Sequence, residues 1–342
     1  MEGGFIRYKI ILTYPVAIKI IRKSSDETPI SRNDNNRATL ASCILNLSNT
    51  IIGTGMLGLP GAFSGTGYLG GILLLLLSAI FSAHGLVLLA KSAEITGVFP
   101  SSFYSIAHRA MPKFTIFIDF GVALKCFGVA TGYLITIADC MVDAFDDLVV
   151  TGDESSFLSS LALSRRFWVI FGVCAVLPMS FFRTLDSLKR ASAAALAIVI
   201  LLAAAVVAYA QGWFGWDPCE GHNMSIEDPT LVACHGKREM FTNVPQTLQK
   251  LPIFIFAFTC QQNIFPIVNE IQNRTMTRLT IVAVTAIGLA FVTYVVVAIE
   301  GYNTYGSNLR GNLLLNYPKT HIVTALRICV ATLLILHYPL QM

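Results

Sequence analysis

Residues 46–67, NLSNTIIGTGMLGLPGAFSGTG, interrupt a stretch of the chain that is otherwise apolar enough to cross a membrane. The run is rich in glycine, contains Pro60, and has a polar start that includes Asn49. In lipid, unwound backbone is tolerated only where it lines a cavity or packs against protein. A helix that breaks at residues 53–55 exposes amide groups at one half-helix end and carbonyl groups at the other, which suit a carboxylate and a small cation respectively. The run therefore predicts a ligand site within the membrane.

The composition favours a helical membrane protein over a soluble one. Of the 342 residues, 54% are hydrophobic and only 13% are charged, against roughly 25% charged in a typical soluble domain. The net charge of +4 is too small to indicate nucleic-acid binding. The sequence contains no nucleotide-binding loop, hydrolase triad or metal-ligand cluster, so we do not expect an enzyme.

Eight segments are close to the roughly 20 apolar residues that a bilayer needs. Residues 1–39 are predicted to be a cytosolic tail, whose first part either lies on an anionic membrane surface or has no fixed structure. Residues 40–342 are predicted to form the transmembrane domain. Its spans are expected at about 40–64, 67–90, 114–142, 166–182, 191–211, 247–269, 279–300 and 321–340.

The distribution of basic residues predicts that the N-terminus lies in the cytosol. With that orientation the inside segments hold 15 Lys and Arg residues and the outside segments hold 7, as the positive-inside rule requires. The outer loop, residues 212–246, then carries a glycosylation sequon at Asn223 and the two cysteines Cys219 and Cys234. These features suit an oxidising luminal or extracellular side. A disulfide between the cysteines is predicted, with two free thiols as the alternative.

A second span is also interrupted. Residues 251–270 carry Pro252 and Pro266 near their ends and a polar run, residues 259–263, at their centre. Prolines and clustered polar side chains strain a helix and free its backbone groups. Four ordinary spans separate the two interrupted ones, which is the pattern of an inverted five-plus-five repeat with its site at the bilayer midplane.

Both interrupted runs resemble signatures of a known family. NLSNTIIGTGMLGLPGAF is similar to the first-span signature of the amino acid/auxin permease family, and within it to the sodium-coupled neutral amino acid transporters of solute carrier family 38. LPIFIFAFTCQQNIFPIVNEIQN resembles their sixth-span signature, and GYLITIAD, GYNTYG and HYPLQ match in the same order. The resemblance implies an all-α, leucine-transporter-like fold of eleven spans. Eight of these are present, so we interpret the chain as a piece of a longer protein.

The resemblance also implies roles for residues in both breaks. The substrate carboxylate would lie on the backbone of the first break, and the substrate amino group and side chain would meet the second. Phe256 and Phe258 have ordinary packing as an alternative role. The substrate-binding residues implied in this way are Ile52, Gly53, Thr54, Gly55, Phe256, Ala257, Phe258, Thr259 and Cys260.

Two residues are candidates for coupling to a cation. Asn49 matches the asparagine that the family links to sodium binding, and an interhelical hydrogen bond is its alternative role. His337 stands where sodium-coupled members carry a hydroxyl residue. Histidine is a poor sodium ligand and titrates near neutral pH, so it favours proton coupling unless it only forms a hydrogen bond within the bundle. Gln261 stands where related sequences often have histidine, which argues against an ion-binding role at that position.

Charged residues also fall in the predicted spans, and we consider roles for four of them. Asp119, Lys125 and Asp139 lie in or near the third span, and an ion pair between Lys125 and an acidic group elsewhere is favoured over a role in an ion path. Arg327 lies early in the eighth span and is expected to extend to the outer membrane interface.

The predicted function is secondary active transport of neutral amino acids, driven by a gradient of H⁺ or Na⁺. The alternatives are an amino acid sensor that binds without net transport and a non-functional fragment. The expected location is the plasma membrane or a vacuolar or lysosomal membrane. The expected partners are an amino acid and the lipid bilayer, with no nucleic acid, no cofactor, no metal beyond a possible Na⁺, and a monomeric state.

Overall fold

The computed structural model describes residues 38–53, 55–149, 161–179, 189–219, 234–309 and 311–341. The tail before residue 38, Thr54 and Asn223 lie outside this part. Within it the fold is helical, and one isolated parallel β-bridge joins Ala38 to Ile271. The helices are α1 (Leu40–Ile51), α2 (Gly55–Thr96), α3 (Phe103–Ala110), α4 (Thr115–Val149), α5 (Arg165–Met179), α6 (Lys189–Ala210), α7 (Val244–Ala257), α8 (Ile264–Glu270), α9 (Met276–Tyr305) and α10 (His321–Gln341).

The helices have the length and surface of membrane spans. Large apolar side chains cover the outside of α4, where Phe117, Phe120 and Phe127 are each more than two thirds exposed. In water such a continuous apolar face would be unusual for a folded monomer. Among the described residues, five helical segments are long and apolar enough to cross a membrane: Gly55–Thr96, Pro112–Asp146, Ala193–Ala210, Val244–Glu270 and Met276–Asn308. The expectation of an all-helical, multi-pass membrane protein is confirmed at this level.

The first glycine-rich run contains two separate interruptions. The first coincides with the predicted break, because α1 ends at Ile51 and α2 begins at Gly55. The second lies at Gly67, whose φ of 74° is left-handed and divides α2 internally. Glycine is the residue that adopts this conformation without strain, and a β-carbon there would also collide with the carbonyl oxygen of Met240.

The second interrupted span breaks in its polar centre. Helix α7 ends at Ala257, a short 3₁₀ turn follows at Gln261–Asn263, and α8 starts at Ile264. The side chains of the polar run hold this irregular backbone. Ser82 of α2 donates to the carbonyl of Phe258 at 2.7 Å, and the Gln261 amide donates to the Ser82 hydroxyl at 3.1 Å. Gln261 therefore supports the break.

The expectation that Arg327 extends to the membrane interface is wrong. Its side chain is only 2% exposed. The guanidinium donates hydrogen bonds to the carbonyl oxygens of Leu314 and Tyr317, at 3.1 and 3.3 Å, in the loop that precedes α10. This loop folds over the helix, so the charge meets backbone carbonyls inside the protein. Burial is the main cause that raises the pKa of the Tyr317 phenol above its usual range, and the nearby Tyr209 raises it further.

Candidate functional site

The two helix breaks lie side by side and line a small, partly open cavity. Its volume of about 10 Å³ leaves room for roughly one water molecule. Five of the nine predicted substrate-binding residues line it, and α4 and the last turn of α1 supply the rest of its wall. The lining residues are Thr50, Ile51, Gly53, Gly55, Val129, Tyr133, Phe256, Ala257 and Thr259.

Three other predicted residues are buried beside the cavity without lining it. Ile52, Phe258 and Cys260 are each at most 1% exposed. The Phe258 ring packs edge-on against Tyr294 of α9, with 5.2 Å between the ring centroids. This is the packing role that the sequence left open for Phe258. Thr54, the remaining predicted residue, lies outside the described part of the chain.

The two glycines of the first break permit a close approach of neighbouring groups. A β-carbon at Gly53 would collide with the hydroxyl of Tyr133. A β-carbon at Gly55 would lie 2.9 Å from the Cα atom of Ala257, closer than real β-carbons come to other atoms. Because the obstacle at Gly55 is backbone, no side-chain rotation relieves the contact. The two breaks thus touch at Gly55 and Ala257.

The amide groups at the first break are only partly free to bind an anion. The Ile52 amide donates to the carbonyl of Ser48 at 2.9 Å, and the Gly53 amide donates to the carbonyl of Ile51 at 2.9 Å. A helix leaves its first amide groups without intrahelical partners, and α2 begins at Gly55. The Met56 amide in this turn donates to the carbonyl of Gly53 at 3.2 Å, so its neighbours at the start of α2 are the better place for a carboxylate than residues 52 and 53.

The carbonyl ends at the two breaks share one hydrogen-bond donor. The hydroxyl of Tyr294, which is 0% exposed, lies 2.6 Å from the carbonyl oxygen of Ile51 and 2.9 Å from that of Ala257. Ile51 and Ala257 are the last residues of α1 and α7. Carbonyls of this kind were expected to hold a cation, and here a protein hydroxyl occupies the position between them.

The side chain of Lys125 contacts the second break. Its ammonium group donates a 2.5 Å hydrogen bond to the Gln262 side-chain oxygen. The expectation of an acidic partner for Lys125 is wrong, because the recorded partner is a neutral amide. Asp139 pairs instead with Arg165 at 2.9 Å. Lys125 precedes Val129 by four residues, so it lies on the face of α4 that lines the cavity.

The two coupling candidates are only partly described. Asn49 is 1% exposed, and neither polar atom of its side chain has a hydrogen-bond partner among the described residues. The hydroxyl of Ser48 is in the same situation. A buried, unpaired amide is costly and fits a position that a ligand or ion satisfies. His337 lies within α10, but its side chain belongs to the part that the structure leaves undescribed.

The loop after α6 brings its two cysteines together. The sulfur atoms of Cys219 and Cys234 are within bonding distance, and their Cα atoms are 5.7 Å apart, as in disulfides. The next residue, His235, contacts the carbonyl oxygen of Thr304 through Nδ1 at 2.6 Å. This contact fixes the end of the loop on α9.

Sequence reasoning missed five residues of the site. Val129 and Tyr133 carry a recognisable signal, since they are four residues apart in a predicted span and share a helix face. Thr50 and Ile51 directly precede the predicted break. Tyr294 carries no local signal, because a single tyrosine in an apolar helix says nothing about which carbonyls it reaches.

Comparison with known proteins places these features in a family. A family described as "Transmembrane amino acid transporter protein" matches residues 36–342. "Vacuolar amino acid transporter 5" of Schizosaccharomyces pombe is 32% identical over 310 residues, which are 89% of this chain and 67% of that protein. "Vacuolar amino acid transporter 7" of Saccharomyces cerevisiae is 31% identical over 298 residues, which are 86% of this chain and 56% of that protein.

"Vacuolar amino acid transporter 5" of Saccharomyces cerevisiae is 29% identical over 309 residues, 89% of this chain and 65% of that protein. The chain thus spans about two thirds or less of the length of these relatives. The family match covers both helix breaks and nearly the whole chain, and its members are transporters, not enzymes. The chain belongs to the transmembrane amino acid transporter family, within the amino acid/auxin permease group.

Proposed function

We propose that the protein is a secondary active transporter that binds an amino acid between its two broken helices. The observation that carries this proposal is the small cavity that both breaks line together. Its relatives are named as amino acid transporters, which supports the same substrate class here. The fold proposed for the whole protein is the leucine-transporter-like inverted repeat, with eight of its eleven spans in this chain.

The substrate carboxylate would bind amide groups in the first turn of α2, other than that of Met56, which donates to the carbonyl of Gly53 at 3.2 Å. The positive end of the α2 dipole favours an anion there. The amino group would meet the backbone of the second break near Phe256 and Thr259. The apolar side chains of Phe256 and Val129 favour a neutral substrate side chain. A cavity of about 10 Å³ is too small for any amino acid, so the breaks must separate before binding.

The driving cation would be a co-substrate bound near Asn49. Its unpaired side-chain amide supports this proposal. Because the Tyr294 hydroxyl already occupies the space between the carbonyl ends, the proposed cation position is on α1 and not between the breaks. His337 would take part if the cation is a proton.

The proposed membrane is vacuolar, by similarity to the named relatives, with the plasma membrane as the alternative. The N-terminus would face the cytosol. The loop with Cys219 and Cys234 would then lie on the luminal side, with a disulfide and a glycan at Asn223. The proposed unit of transport is a monomer.

Uptake of labelled neutral amino acids into proteoliposomes tests the proposal. Sodium and pH gradients are imposed separately, and empty liposomes provide the background. We expect saturable accumulation with at least one gradient. Binding of an amino acid without accumulation under either gradient would contradict the proposed transport and indicate an amino acid sensor instead.

A further inference from the structure

The half-helices at the two breaks are joined in two pairs. The first is the α1–α8 pair, which is tied at both ends. Near the breaks, the Asn263 amide donates to the Thr50 hydroxyl at 2.6 Å. At the far end, the Ala38 amide donates to the Glu270 carbonyl at 2.8 Å and the Gln272 amide donates to the Ala38 carbonyl at 3.0 Å. Two helices fastened at both ends move together.

The second is the α2–α7 pair, formed by α7 and residues 55–66 of α2. At the breaks, Gly55 lies directly against Ala257, with no room for a β-carbon. The Thr242 hydroxyl also donates to the carbonyl of Gly65. Two backbone hydrogen bonds tie the far end: the Tyr68 amide to the Glu239 carbonyl (3.1 Å) and the Leu69 amide to the Met240 carbonyl (3.0 Å).

The hydroxyl of Tyr294 contacts one member of each pair. Its acceptors are the last carbonyl of α1, at Ile51, and the last carbonyl of α7, at Ala257. Both carbonyls are the negative ends of helix dipoles, so they repel each other unless a donor lies between them. The single hydroxyl proton is shared by the two acceptors, and it holds the pairs together at the cavity.

We propose that Tyr294 is a positioning residue for transport, whose hydroxyl latches the α1–α8 pair to the α2–α7 pair when the site is closed. This inference rests on the proposed transport function. Because each pair is tied at both ends, separation of the two breaks moves one pair relative to the other. That movement breaks one of the two hydrogen bonds, and the Tyr294 hydroxyl then donates to the other carbonyl alone. Tyr294 thus sets the stability of the closed state through which the substrate must pass.

The thiol of Cys260 reports separation of the two pairs without any need for transport, because it lies in the second break, which joins α7 of one pair to α8 of the other. Cys260 is 0% exposed while the two breaks are in contact. In a background where the other free cysteines, Cys43, Cys126, Cys140, Cys174 and Cys329, are replaced by serine, its rate of reaction with a small maleimide measures opening.

The test compares two tyrosine-to-phenylalanine variants on α9. Tyr294→Phe removes the shared donor and keeps the ring that packs on Phe258. Tyr302→Phe is the matched control, since Tyr302 is equally buried but its hydroxyl accepts from the Glu239 amide, on the side of the α2–α7 pair. We expect Tyr294→Phe to raise the Cys260 reaction rate by about five- to tenfold, as the loss of one or two hydrogen bonds implies. The Tyr302→Phe rate should stay near that of the parent.

An unchanged rate in Tyr294→Phe, or an equal rise in both variants, overturns the latch. If Tyr294→Phe fails to fold, fluorinated tyrosine placed at position 294 keeps the ring and strengthens the donor, and it should slow the Cys260 reaction. A rate that does not respond to fluorination also overturns the proposal. The two proposals fail separately. If the parent protein shows no uptake but Tyr294→Phe raises the Cys260 reaction rate, the transport function is wrong and the latch stands. If the parent protein shows uptake but Tyr294→Phe leaves the rate unchanged, the latch is wrong and the transport function stands.

Discussion

The side-chain amide of Asn263 donates a 2.6 Å hydrogen bond to the hydroxyl of Thr50, and both side chains are buried. Thr50 lies in the last turn of α1, and Asn263 directly precedes α8, so this bond joins the two broken segments where they break. The Thr50 hydroxyl also donates to the carbonyl of Asn46 at 2.9 Å. The Thr50 hydroxyl therefore donates one hydrogen bond and accepts another, whereas a valine side chain, which has the same shape, can do neither.

Replacement of Thr50 by valine should lower the free energy of unfolding by about 1–3 kcal/mol, because the buried Asn263 amide loses this acceptor. Thermal unfolding in detergent measures the effect as a fall in Tm. Thr131→Val is the matched control, since the Thr131 hydroxyl is exposed and donates to Phe127 within its own helix. Equal losses in the two variants would contradict a special role for the Thr50 bond.

Gly55→Ala should reduce uptake by at least about tenfold while the protein still reaches the membrane. The added β-carbon would lie 2.9 Å from the Cα atom of Ala257, and overpacking against backbone costs about 1–3 kcal/mol. Gly85→Ala on the same helix is the control, because a β-carbon there meets nothing within 4 Å. Normal uptake by Gly55→Ala would show that transport does not require the close contact between the breaks.

A double-mutant cycle on Lys125 and Gln262 should give a coupling energy of about 1.5 kcal/mol. The two residues share a 2.5 Å hydrogen bond with a charged donor, and such bonds are stronger than neutral ones. The cycle compares Lys125→Met, Gln262→Ala and the double variant by thermal unfolding. Additive effects of the two substitutions would show that the contact contributes nothing to stability.

The sequence predicts the breaks well because their causes are local. Glycines at positions 53 and 55 and the polar run at 259–263 disfavour a continuous helix wherever they stand, and the structure has its interruptions there. The expectation for Arg327 fails for the opposite reason. Its position near a helix end suggests access to the interface, but the loop that covers it is fixed by tertiary contacts with Leu314 and Tyr317.

The contacts that surround the breaks could be predicted only in part from the sequence. Tyr133 and Tyr294 come from helices far along the chain from either break, and only the packed bundle brings their hydroxyl groups to Gly53 and to the carbonyl of Ile51. A resemblance to family signatures marks the breaks as a site. It does not reveal which tyrosines contact the breaks.

Replacement of Cys219 and Cys234 by serine should lower the stability of the protein by about 3 kcal/mol, the chain-entropy value for a closed loop of this length, since the two cysteines are 15 positions apart. Thermal unfolding with and without reductant measures the loss, and reductant should have no further effect on the double variant. Cys174→Ser, at an exposed free cysteine, is the control. If both cysteines react with a mass-tagged maleimide before reduction, the disulfide is absent.

Asn49→Ala should uncouple uptake from the cation gradient. The Asn49 amide is buried and has no partner among the described residues, so the driving cation is its expected partner. Without the amide, the cation no longer contributes free energy to substrate accumulation, whereas the substrate site at the breaks stays intact. Gradient-driven accumulation should therefore fall about tenfold, and exchange of labelled for unlabelled substrate should continue.

Ser42→Ala on the same helix controls for the loss of a buried polar group. The Ser42 hydroxyl also has no partner within the described part of the chain, but it lies two turns before Asn49 and away from the break. The comparison is made under whichever gradient, Na⁺ or H⁺, drives the parent protein. An equal loss of accumulation in both variants would indicate a general effect on α1. Full accumulation by Asn49→Ala would exclude this side chain from coupling, and the carbonyl ends at Tyr294 would again become the best position for the cation.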